Sequence, residues 1–149
     1  MNILVAVDGS DESTAALERA LDVADAMGGS VTVAYAVDPS VYDLGGPAPV
    51  SGLSDADRRL IMESVEDTER RGIDVLDDAA AFAADRGQPV ETELLYGDPV
   101  RAITAFAESE GFDAIYVGHR GRSERTERLV GSVAKGIVER TSITVTVVR

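Results

Sequence analysis

Two short runs, Ile3-Leu4-Val5-Ala6-Val7 and Ala114-Ile115-Tyr116-Val117, are apolar at every position. A strand with one face in water alternates apolar and polar residues. A strand with no polar position must be covered on both faces, which points to the interior of a parallel sheet with helices above and below. Three more strand-like runs follow the same chain: Val31 to Val37, Val90 to Tyr96 and Ile143 to Val148. These carry polar residues at some alternate positions, so thinner cover is expected for them.

Helical patterns fill the gaps between the runs. After Ser10-Asp11-Glu12, Leu17, Leu21 and Ala24 recur at helical spacing. A longer helix is expected to start at Ser54, with Asp57 three residues on as a variant capping box. Ile61, Val65, Thr68, Gly72, Leu76, Ala79 and Ala83 mark its inner face. It should stop near Arg86, because Gly87 suits a left-handed cap and Pro89 follows. Gly72 within it marks either a close packing contact or a kink. Asp98-Pro99 is a strong start for the next helix, an N-cap followed by proline at the first position. Val133 and Ile137 sit one turn apart in a last helix. Strands alternating with helices imply crossover connections and a doubly wound α/β sheet. The stretch 38–52, with Pro39, Gly45-Gly46, Pro47 and Pro49, has no periodicity and reads as a long loop. At 149 residues the whole chain, 1–149, is expected to form one domain.

The residue inventory narrows the chemistry. There is no cysteine and one histidine, His119, so neither a thiolate metal site nor a multi-histidine cluster can form. No apolar run approaches the ~20 residues of a membrane span, and the start of the chain lacks a signal-peptide layout. A cytoplasmic location is the expectation. Asp and Glu number 27 against 14 Lys and Arg, and Lys135 is the sole lysine. Such a balance repels nucleic acid and anionic lipid. It reads as a solvation strategy suited to high salt, or else as an acidic face for a partner.

One segment departs from this acidity. Gly118-His119-Arg120-Gly121 follows the fourth strand, nine residues intervene, and Gly131-Ser132 opens the last helix. Across 118–136, Arg120, Arg122, Arg125, Arg128 and Lys135 outnumber Glu124 and Glu127. Glycines let backbone amides approach an anion, and a helix N-terminus aims N–H groups and a positive dipole end at it. Ser132 adds a hydroxyl. The alternative is a set of solvated arginines paired with Glu124 and Glu127.

The spacing G-x2-G-x9-G-S, together with the opening Ile3-Leu4-Val5-Ala6-Val7-Asp8-Gly9-Ser10 and Gly97-Asp98-Pro99, resembles the universal stress protein family over the whole chain. Gly118, Gly121, Gly131 and Ser132 match the mark of its ATP-binding branch. The resemblance implies a five-stranded parallel sheet of order 3-2-1-4-5 with about four helices, like that of adenine nucleotide alpha-hydrolases. It implies that Ala6 and Asp8 line a nucleotide pocket, with Asp8 near the ribose or, through a cation such as Mg²⁺, near the phosphates. Ala36 would meet the adenine through its backbone. The phosphates would lie along Gly118, His119, Arg120, Gly121, Arg122 and Ser123 and against Gly131, Ser132 and Val133. ATP is the expected ligand, with ADP and AMP as alternatives. The family also implies a homodimer through the last strand, Ile143 to Val148, although Thr144 and Thr146 stand where the family often has Pro and an aliphatic residue.

His119 departs from the family's usual Ser or Thr. It could contact phosphate; the plainer expectation is a partly exposed loop residue. For Asp8 the alternative role is capping the first helix. No G-x-x-x-x-G-K-[ST] lysine loop is present, so slow Mg²⁺-dependent hydrolysis, with Asp8 and Asp38 as cation ligands, is secondary to a regulatory nucleotide-binding role. A nucleotide-free dimeric scaffold is the other alternative. A phosphoacceptor receiver is disfavoured, because Lys135 sits in a helix rather than at a strand end.

Overall fold

The two wholly apolar runs lie side by side. In the computed structural model they form β1 (Asn2–Ala6) and β4 (Ala114–Gly118), paired in parallel from Ile3↔Ala114 to Ala6↔Val117. The structure describes residues 1–39, 55–120 and 130–149, without the side chains of 55–64. Around the central pair stand β2 (Ser30–Val37), β3 (Glu91–Tyr96) and β5 (Thr144–Val148). All pairings are parallel and the sheet order is β3-β2-β1-β4-β5. The doubly wound five-stranded sheet expected from the sequence is therefore present.

Four helices cover it among the described residues: α1 (Asp11–Met27), α2 (Asp55–Asp85), α3 (Pro99–Ser109) and α4 (Ser132–Arg140). Alternation along the β1 run divides the core. Ile3, Val5 and Val7 join Leu17 and Leu21 of α1 and Leu76 and Ala79 of α2. Leu4 and Ala6 join Ile103 and Ala107 of α3 and Ala134 and Ile137 of α4. Ile3, Leu4, Val5 and Ile115 are fully buried, and burying a side chain of this size stabilises the fold by about 1.5–3 kcal/mol.

The expected thinner cover holds for β3 and β5, the two edges, where residues are half-buried or exposed. It does not hold for β2. Val31, Val33, Tyr35 and Val37 are buried against the α1–α2 layer, and Ala34 is buried on the other side. Position decides this: β2 lies between β1 and β3, so polar Thr32 is half-buried within an interior strand.

The helix boundaries follow local chemistry. Ser10 caps α1 by accepting from the Ser13 N–H at 3.1 Å. Asp98 caps α3 by accepting from the Arg101 N–H at 3.1 Å, and Pro99 takes the first position. α2 ends at Asp85, and Gly87 (φ 73°) turns the chain away. Ser54, its expected cap, and residues 40–52 of the expected loop lie outside the described residues.

Gly72 resolves in favour of close packing. A Cβ there would sit 2.6 Å from Cδ1 and 2.9 Å from Cε1 of Tyr35, a buried ring. Gly72→Ala should therefore lower stability by about 1–3 kcal/mol through overpacking, although alanine is the better helix former by about 1 kcal/mol. Urea unfolding measures the difference; a more stable variant would show that the ring yields freely.

Candidate functional site

The sheet order reverses between β1 and β4. The chain leaves β1 toward α1 on one face, while the helix that follows β4, α4, packs on the other. Such a switch point leaves a crevice at the carboxyl ends of the strands. The cleft found there holds about 230 Å³. Ala6, Val7 and Asp8 follow from β1, Tyr35 and Ala36 from β2, and Val117, Gly118 and Arg120 from β4. Pro99 and Ile103 of α3 and residues 131–134 at the start of α4 complete it.

The start of α4 differs from the starts of α1 and α3. Its N-cap is Gly131, which has no side chain to return a hydrogen bond. The Lys135 N–H reaches the Gly131 carbonyl at 3.0 Å, the first bond of the helical ladder. The amides of Val133 and Ala134 precede that bond and have no partner within the helix, and both residues line the cleft. A helix that faces a cleft with its first turn uncapped by a side chain offers donors and a positive dipole end to an anion.

Gly118 has a different task from the one its place in the glycine motif suggests. A Cβ there would lie 2.8 Å from the backbone carbon and 2.8 Å from Cβ of Glu12. The missing side chain lets the first turn of α1 press against the end of β4.

The next two residues connect this contact to the cleft. The expectation of a partly exposed His119 is corrected: the residue is 9% exposed. Its N–H donates to the Val148 carbonyl at 2.7 Å, and its carbonyl accepts from the Gly131 N–H. These two backbone bonds draw it inward between β5 and α4. Arg120 Nε donates to His119 Nε2 at 3.0 Å, and Arg120 Nη2 donates to Glu12 Oε1 at 2.9 Å. The ion pair crosses 108 positions of sequence and is mostly enclosed, at 20% and 22% exposure. Arg120 thus has a partner on α1. Gly121, Arg122 and Ser123, like Arg125 and Arg128, lie outside the described residues.

Asp8 borders the cleft, and the cap of α1 is Ser10 rather than Asp8. The Oδ1 of Asp8 accepts from the Ser10 N–H at 2.9 Å and from the Ser10 hydroxyl. It therefore steadies the residue that caps α1. Asp38, at the end of β2, is not among the cleft-lining residues. The cleft thus gathers Ala6, Asp8, Ala36, Gly118, Arg120, Gly131, Ser132 and Val133 from the sequence expectation; His119 lies behind it. Sequence reasoning missed Val7, Ser13, Tyr35, Pro99, Ile103, Val117 and Ala134 as lining residues. Pro99 was legible as the first position of α3, and Ile103 stands one turn on in the same helix.

A family model described as Universal stress protein family matches residues 1–149. Universal stress protein YxiE of Bacillus subtilis is 29% identical over 147 residues, covering 99% of this chain and 97% of its own length. Universal stress protein UspA from Lactobacillus plantarum aligns with a TM-score of 0.83 at 27% identity, over 100% of this chain and 97% of that one. The universal stress protein from Archaeoglobus fulgidus in complex with dAMP aligns with a TM-score of 0.65 at 27% identity, over 100% and 98% of the two chains.

The packing role of Gly118 is separable by substitution. Gly118→Ala should destabilise the protein by about 1–3 kcal/mol, because the clash falls on backbone atoms that cannot swing aside. Thermal unfolding without ligand measures it; a variant as stable as the parent would show that α1 does not bear on β4.

Proposed function

This chain belongs to the universal stress protein family, and from that premise we propose that its cleft binds an adenine nucleotide, ATP by our reading, in a regulatory rather than an efficiently catalytic role. The observation that carries the proposal is the first turn of α4, which opens on a glycine with no side-chain cap of its own and faces a cleft at the topological switch point. Phosphate oxygens would accept from those amides, with Ser132 beside them. Apolar Ala6, Ala36, Ile103 and Val117 line the cleft and would offer walls to an adenine ring, whose edge the Ala36 backbone would read. Asp8 stands where a ribose hydroxyl would need an acceptor. The dAMP complex of the Archaeoglobus fulgidus relative supports this choice of ligand class.

Mg²⁺ would fit the same arrangement. The ion is commonly held by one or two carboxylates together with substrate phosphates, and the Asp8 carboxylate borders the cleft. Bound Mg²⁺ would neutralise phosphate charge, and Asp8 would hold its position. The case against efficient phosphoryl transfer rests on the sequence. It has no lysine-bearing phosphate loop, and its one lysine, Lys135, is exposed on α4.

A homodimer along β5 is part of the proposal. Among the described residues β5 pairs with β4 on one side only, and it is half-buried along Val145 to Val148. A β-prone edge of that kind favours pairing with a second copy. Sedimentation should give twice the chain mass; a monomer at micromolar concentration would contradict this.

Ligand linkage tests the nucleotide. At about 100-fold excess over Kd, ATP should stabilise the fold by about 2.7 kcal/mol, a rise in Tm of about 5–10 °C for a chain of this size. No shift, with or without Mg²⁺, would overturn the proposal. Gly131→Asp sharpens the test. Gly131 has φ −62° and ψ 158°, a conformation open to any L residue and usual for an N-cap. An aspartate there would cap α4 itself, leaving unliganded stability at or above the parent's while removing the ATP shift. An intact shift would place the phosphates elsewhere.

A further inference from the structure

His119 and Glu12 hold Arg120 from two sides, and neither is explained by the nucleotide reading alone. We infer that they are positioning residues that fix the Arg120 guanidinium at the cleft for a phosphate group. This rests on the reading of the cleft as a nucleotide site.

Arginine has donors and no acceptor. The bond from Arg120 Nε therefore makes His119 Nε2 the acceptor, and the imidazole is neutral with its proton on Nδ1. His119 Nδ1 is buried with no hydrogen-bond partner among the described residues. The bond from Arg120 thus sets the tautomer.

Glu12 supplies the second hold. Its place is set by the close contact of the first turn of α1 with Gly118, and it takes one Nη2 hydrogen. Two of the five N–H donors are then committed, which leaves three to meet an anion. An unrestrained arginine would have to be ordered on binding, which weakens affinity; one already held on two sides has lost that freedom beforehand.

The test uses ATP titrated calorimetrically into the intact protein, with His119→Leu, His119→Gln, Arg120→Ala and the His119→Leu/Arg120→Ala double variant. Leucine removes the acceptor at similar bulk; glutamine restores an acceptor oxygen. Affinity should fall about fivefold in His119→Leu, the worth of one hydrogen bond. It should stay within about twofold of the parent in His119→Gln and fall further in Arg120→Ala. The double variant should bind like Arg120→Ala alone, because His119 acts through Arg120. In the parent, imidazole ¹⁵N spectra should show Nε2 unprotonated. That readout holds even if the leucine variant misfolds. If the parent takes up no ATP, the nucleotide reading fails and this inference with it. If the parent binds but His119→Leu is equally tight, or its loss adds in full to that of Arg120→Ala, or Nε2 carries the proton, the inference alone is overturned.

Discussion

The pairing of β1 with β4 is the constraint from which the rest follows. Both strands are buried on both faces, so a helix must cover each side. α1 follows β1 on one face and α4 follows β4 on the other. A crevice between the two departures is then unavoidable, and its walls are the residues that end the strands. Ala6 and Gly118 are small where a larger side chain would fill the crevice or push α1 away.

Within that crevice the helix starts divide the work. α1 and α3 satisfy part of their first turn with the side chains of Ser10 and Asp98. α4 begins at a glycine, so no N-cap side chain returns a hydrogen bond to its first turn, and Val133 and Ala134 border the cleft there. The capping of α1 also contributes to the site indirectly. Asp8 and Ser10 fix its first turn, Gly118 admits that turn against β4, and Glu12 then reaches Arg120. Helix start, strand end and basic side chain are thereby one mechanical unit, in which a change at Ser10 or Gly118 would be felt at Arg120.

Most of the fold was legible because its signals are local. Asp98-Pro99, Gly87 with Pro89, and the wholly apolar β1 and β4 runs each act within a few residues, and the structure places these elements as read. The burial of β2 was not legible, since it depends on which strands lie beside it. His119 shows the same limit. Its burial arises from Val148 and Gly131, neither of which marks the sequence near it. Glu12 carried no signal at all, because its bond to Arg120 is a product of the tertiary contact at Gly118. Gly118 was read as part of an anion cradle, but the atoms it makes room for belong to α1.

The central claim is that the amides opening α4 grip an oxyanion. Backbone amide NMR of the isotope-labelled protein during an ATP titration tests it residue by residue. The account predicts that Val133 and Ala134 shift most and in step with one another, as their N–H groups take up the anion. Saturation with ATP while those two resonances stay in place would contradict it.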